Sequence, residues 1–238
     1  MCCRNICSIL LIALTSCSFS DDNPSISVFT ASFDFSKSQD GWEGDFADFP
    51  ANHEDSAFYE LKFAYTDLPS NLGAKKSIMM SGNNHSDDLF MFVKRKIAGL
   101  LPNTNYTLVF EIELASDATE GSVGVGGSPG ENVYLKAGAS SVEPTKVVQS
   151  NQYVLNIDKG NQSTAGSNAI VLGDIATPAG RHGFTLISRT NASYAAQPFI
   201  GKTNSAGEIW LLVGTDSAFE GTTTVYYTKM NIVFSTVY

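Results

Sequence analysis

Short apolar runs separated by Gly, Asn, Asp, Ser and Pro fill residues 26 to 238, and no long segment repeats its apolar positions at the helical period. That spacing predicts many short strands. In YTLVFEIELA the residues Tyr106, Leu108, Phe110, Ile112 and Leu114 alternate with Thr107, Val109, Glu111 and Glu113. One face of this strand is predicted to be buried and the other mostly polar. In TTVYYTKMNIVF the same alternation puts Tyr226, Thr228, Met230, Ile232 and Phe234 on one face, with Val225, Tyr227, Lys229 and Asn231 on the other. The run LFMFVKRKI differs, because Leu89, Met91 and Val93 on one face and Phe90 and Phe92 on the other are all apolar. A strand covered on both faces is a central one. Further strands are expected in FYELKFAY, SIMMSG, VYLKAGA, YVLNID, AIVLGDI and EIWLLVG. This pattern predicts an all-β fold, an antiparallel two-sheet β-sandwich, as one domain over residues 26–238.

The chain ahead of that domain has a different character. MCCRNICSILLIALTSC carries an early positive charge at Arg4, an apolar stretch from Ile9 to Leu14 and small residues after it. That is the layout of a secretory signal, too short for the roughly 20 apolar residues of a membrane-spanning helix. Its end, LTSC, resembles the lipobox of bacterial lipoproteins. The resemblance implies a lipoprotein signal peptide at residues 1–16, lipid attachment at Cys17 and a polar tether over residues 17–25. An ordinary signal peptide cut near Ser20 is the alternative. Ser18 directly after Cys17 implies anchoring in the outer membrane, at its periplasmic face or the cell surface. The four cysteines are Cys2, Cys3, Cys7 and Cys17. The mature domain is therefore expected to hold together by its core, without disulfides.

A formal net charge of -9 argues against a nucleic-acid or anionic-membrane surface, which would need clustered Lys and Arg. The basic knot Lys94, Arg95 and Lys96 is expected to be a solvated strand end.

Three stretches narrow the fold class. FDFSKSQDGW, from Phe33 to Trp42, resembles the opening strand and Gly-Trp turn of jelly-roll carbohydrate-binding modules. KIAGLLPNTNYTLVFEIEL resembles their central segment, and GTTTVYYTKMNIVF their closing strand. GDFADFP and GNNHSDDLFMF further resemble a signature of bacterial lipoproteins. The resemblance implies a jelly roll, a glycan as partner, and a structural calcium where the first and last strands meet. Asp34 and Asp216 are the ligands implied for it, from an oxygen-donor pool that also includes Asp45, Asp48 and Glu220.

Sugar stacking needs an exposed aromatic face flanked by hydrogen-bonding side chains. GWEGDFADFP offers Trp42 and Phe46 beside Asp45 and Asp48, with core packing an equal alternative for Trp42. The polar stretch Asn83, Asn84, His85, Ser86, Asp87 and Asp88 reads as a loop entering the LFMFV strand, binding sugar or calcium or only turning the chain. DKGNQSTAGSN, which contains Asn161, has similar chemistry. The candidate ligand-binding set is therefore Trp42, Asp45, Phe46, Asp48, Asn83, Asn84, His85, Asp87, Asp88 and Asn161, on the hypothesis that the three loops converge.

Catalysis has little support. GGSPG matches the nucleophile-elbow pattern in form, but Pro129 after Ser128 has no N–H for an oxyanion hole and no helix is expected to follow. His53, His85 and His182 lack zinc-site spacing. Glu111 and Glu113 would share a strand face, as a glycan hydrolase's paired carboxylates would, but such glutamates are usually solvent-facing. Three function classes follow: a non-catalytic glycan-binding lipoprotein, a structural or adhesion lipoprotein without a small ligand, and a jelly-roll glycan hydrolase.

Overall fold

A computed structural model describes residues 27–52, 54, 57–193 and 198–237. Cys17, the signal segment, the tether and His53 lie outside the described residues. Among the described residues fifteen strands follow in order: β1 (Val28–Asp34), β2 (Glu43–Ala47), β3 (Phe49–Pro50), β4 (Lys62–Asp67), β5 (Lys76–Asn83), β6 (Leu89–Ile97), β7 (Asn105–Ser116), β8 (Val133–Ser140), β9 (Lys146–Gln149), β10 (Gln152–Leu155), β11 (Ala169–Asp174), β12 (Thr185–Thr190), β13 (Phe199–Lys202), β14 (Ile209–Ser217) and β15 (Thr222–Thr236). Among the described residues no helix is long and apolar enough to cross a membrane.

Two antiparallel sheets form the sandwich. The first has seven strands, ordered β12-β7-β15-β5-β4, with β1 also on β15 and β13 also on β7. Its long strands each carry two short ones end to end: β15 pairs with β5 through residues 222–227 and with β1 through residues 229–235. The second sheet has five strands, β11-β8-β14-β6-β2, and a three-stranded ribbon β3-β10-β9 accompanies it. The chain passes between the two main sheets at nearly every connection from β5 to β8 and again from β13 to β15, the winding of a jelly roll.

The main core lies between the sheets. It takes the predicted inner face of β7, with Tyr106, Leu108, Phe110, Ile112 and Leu114 all buried, together with Ile78, Met91, Val93, Leu211 and Val213. Phe90 and Phe92 point the other way, into a second apolar cluster with Ala47, Ala169 and Leu212, joined by Leu155 and Ile157. Strand β6 is therefore covered on both faces, as its sequence predicts.

Strand β15 departs from its simple alternation. Val225 and Tyr227 are buried upstream, whereas Met230, Ile232 and Phe234 are buried downstream. A β-bulge explains the change of phase: Tyr227 pairs with Leu114 and Lys229 with Glu113, so Thr228 is an extra residue. One inserted residue moves every later side chain to the opposite face.

The basic knot is also not simply solvated. Lys94 is buried against Glu143 (2.5 Å), and Lys96 pairs with Glu208 (3.1 Å). Arg95 lies 4.6 Å from the Phe33 ring centroid and pairs with Asp40 at 3.0 Å. These neighbours occupy the charges a phosphate would need.

Candidate functional site

Alternation along β14 turns Ile209, Leu211 and Val213 into the main core and presents Leu212, Gly214 and Asp216 on the outer face of the five-stranded sheet. Register then builds a charged patch inside an apolar surround. Asp216 stands opposite Phe90 of β6 and Tyr134 of β8, and Gly214 stands opposite Phe92 and Lys136. Gly214 is required by packing, since a Cβ there would meet the Met91 backbone oxygen at 2.6 Å and the Phe90 ring at 2.9 Å. Phe90 and Phe92 stack with centroids 5.3 Å apart.

The three polar stretches each bring residues here, although the first is not a loop: it forms β2 and β3 and contributes Asp48 from between them. Lys136 and Asp216 are fully buried and their side chains meet at 2.9 Å. From the loop after β10, Lys159 Nζ reaches Asp216 and Asp48, each at 2.8 Å, and lies 4.8 Å from the Phe90 centroid. The backbone N–H of Gln162 donates to Asp216 Oδ2 at 2.9 Å, and its side chain donates to the backbone oxygen of Asp87 at 2.7 Å. Lys136 Nζ also donates to the backbone oxygens of Lys159 and Thr164, both at 3.0 Å. One carboxylate oxygen each from Asp48, Asp88 and Asp216 lies within 4.8 Å of the others. Asp88 Oδ1 and Asp216 Oδ1 are buried without a hydrogen-bond donor.

Burial sets the protonation here. It pushes the Asp88 carboxyl up to about 7, helped by the charges of Asp48 and Asp216. Burial also raises Asp48 despite the Lys159 charge, and lowers Lys136 against the pull of Asp216. On Lys159 burial acts downward, but Asp216 and Asp48 outweigh it and raise its pKa. Three carboxylates against two ammonium groups leave a net charge of -1, and one proton on Asp88 neutralises it. Two ammonium groups already hold Asp216 Oδ2, an arrangement that repels an added divalent cation.

Of the sequence candidates, Asp48, Asp88 and Asn161 line one cavity of about 230 Å³ with Lys159, Leu155 and Ile157. Asp87, at φ 57°, turns the chain into β6. Asn84 is buried, its amide donating to the backbone oxygens of Ser217 (2.9 Å) and Phe219 (3.0 Å). Asn83 closes β5 by donating its backbone N–H to Tyr59. His85 is exposed, with Nε2 3.0 Å from the Phe58 carbonyl oxygen. Trp42 presents no face to a ligand: it is fully buried, edge-on to Phe33 and Phe35. Phe46 belongs to the same core, and Asp45 pairs with Lys146 at 2.7 Å. Asp34, whose carboxyl Ser36 holds below its ordinary value, is on the seven-stranded sheet, apart from Asp216 on the five-stranded one.

Sequence reasoning missed Lys136 and Lys159. The signal available was a lysine inside the otherwise small and apolar run VYLKAGA. For the alternative activities, Glu113 is engaged by Thr228 (2.8 Å) and Lys229 (3.3 Å), and Ser128 Oγ is held by Glu131.

A second concavity, about 560 Å³, opens beside the β3-β10-β9 ribbon. Phe49, Leu61 and Tyr153 line it with Glu60, Lys62 and Lys146. Tyr153 is half-buried, and Lys146 Nζ stands 5.3 Å from its ring centroid.

No protein-family model matches the chain, and no curated protein matches it in sequence. Among solved structures it is similar to a carbohydrate-binding module studied for mannan recognition, TmCBM27, at 10% identity over 87% of this chain and 98% of that one, with a TM-score of 0.40. It is also similar to a family 16 carbohydrate-binding module, at 14% identity over 73% and 85% of the two chains and a TM-score of 0.31. The K1 cleaved adhesin domain of Lys-gingipain from Porphyromonas gingivalis aligns at 11% identity over 86% and 97%, with a TM-score of 0.38.

Proposed function

We propose that the chain is a cell-envelope lipoprotein whose β-sandwich binds a glycan without catalysing a reaction. The observation that carries this reading is the open cleft beside β10, where the Tyr153 ring lies among Glu60, Lys62 and Lys146. An aromatic face bordered by hydrogen-bonding side chains suits a sugar ring, whose C–H faces stack while its hydroxyls bond to charged groups. Asp45 supports the same cleft by holding Lys146. The net charge of -9 favours a neutral polysaccharide over a polyanion.

A glycan array probed with the full chain should retain at least one neutral glycan. Tyr153→Ala should weaken that binding by about tenfold, the value of one aromatic contact. An array with no retained glycan overturns the reading. Lipidation is tested separately, by metabolic labelling with a fatty-acid analogue: label should be present on the wild-type chain and absent from Cys17→Ala.

One observation favours a structural or adhesion lipoprotein as the second reading. The polar groups of Asn84, Lys136, Lys159 and Asp216 are bonded to the protein itself, which suits a rigid scaffold better than a ligand-binding loop.

A further inference from the structure

The outer face of the five-stranded sheet holds more charge than stability explains. A buried ion pair stabilises a fold little better than apolar side chains of the same size would. Lys136 and Asp216 are nevertheless both fully buried, on the adjacent strands β8 and β14, with Nζ 2.9 Å from Oδ2. An amine and a carboxyl held in contact and away from water have a very high effective concentration for each other.

The groups around them match the needs of amide formation. The Lys159 and Thr164 carbonyl oxygens accept from Lys136 Nζ and fix its direction. The Lys159 ammonium and the Gln162 N–H both donate to Asp216 Oδ2, where negative charge would develop during attack at Cγ. Asp216 Oδ1 has no donor, and neither does the neighbouring Asp88 Oδ1. Phe90, Phe92 and Leu212 form the apolar surround.

We propose that Lys136 and Asp216 condense into an intramolecular isopeptide bond joining β8 to β14, with Asp88 as the proton carrier. Asp88 first passes its proton to Asp216 Oδ1 and takes one from the Lys136 ammonium in its place, giving amine and carboxylic acid with Asp88 still neutral. The nitrogen lone pair then bonds to Cγ, and the carbonyl electron pair moves onto Oδ2. The neutral Asp88 carboxyl protonates the Oδ1 hydroxyl, which departs as water, and then takes the surplus proton from nitrogen. One ammonium and one carboxylate become one amide and one water, and Asp88 returns to its starting state. No oxidant or co-reactant is consumed. Lys159, left with Asp48, keeps the remaining charges balanced. Lys136 is the nucleophile because burial lowers its proton affinity, whereas Lys159 has two carboxylate partners that raise its own.

Peptide mapping of the denatured full chain by mass spectrometry tests this directly. The wild type should yield a branched peptide joining the segments around Lys136 and Asp216, lighter than their sum by one water, with no tryptic cleavage after Lys136. That species should be absent from Lys136→Arg and Asp216→Ala and strongly reduced in Asp88→Asn. The wild-type map stands even if a variant fails to fold. Only linear peptides in the wild type, or a branch at Lys159, would overturn the proposal. The readout is a mass, so it is independent of glycan binding.

Discussion

The Asp158 carboxylate accepts the backbone N–H groups of Gly160 (3.0 Å) and Ser167 (2.8 Å), and so closes the loop from which Lys159 and Gln162 reach Asp216. Those bonds, Ser167 foremost, hold its pKa below the ordinary carboxylate value. A lowered pKa means the folded chain binds fewer protons than the unfolded one. The stabilisation is therefore present above about pH 4 and is lost as pH falls through the folded value. Asp158→Ala should cost about 1 kcal/mol in urea unfolding at pH 7, because the site is solvent-screened, and the difference from wild type should shrink below about pH 4. Asn84 poses a different case, since its amide feeds two carbonyls from a buried position. Asn84→Ala should cost about 2 kcal/mol by the same measurement, because two hydrogen bonds of a buried amide are lost together. In the sequence Asn84 was one polar residue among six. Nothing in residue type distinguished it as a buried strut from His85, exposed beside it.

Alternation was legible wherever a strand was long and one-sided, and β7 follows its pattern residue by residue. It failed at β15, because a bulge leaves no local mark: Thr228 looks like any polar strand residue, and its role exists only against Leu114 and Glu113 of β7. Deleting Thr228 should abolish soluble folded protein, whereas Thr228→Ser should be tolerated. Circular dichroism and size-exclusion chromatography distinguish the two outcomes. The short strands β12 and β13 escaped the sequence for a related reason. Each is too short for a period to stand out and pairs with part of β7. Gly214 was equally silent, since the close approach of Phe90 comes from the neighbouring strand. Gly214→Ala should destabilise the fold by about 1–3 kcal/mol, the usual cost of overpacking, as read by chemical denaturation.

A β-sandwich whose cysteines all lie at or before residue 17 has no disulfide to restrain its unfolded state. A bond between β8 and β14 would fill that role, and by loop-closure entropy would stabilise the chain by about 4 kcal/mol. The class of fold and the central position of β6 were legible in the sequence. These follow from local periodicity and composition, which burial imposes on every strand. Three polar stretches were conspicuous in the sequence, and the structure brings Asp48, Asp88 and Lys159 from them to the five-stranded sheet. What meets there was not legible: Asp48, Asp88, Lys136, Lys159 and Asp216 come from five separate segments, and their contact depends on strand order and register. The same holds for Trp42, whose composition suited either ligand or core until Phe33 and Phe35 closed around it. Periodicity tells a residue which way to face, whereas packing alone decides what it faces.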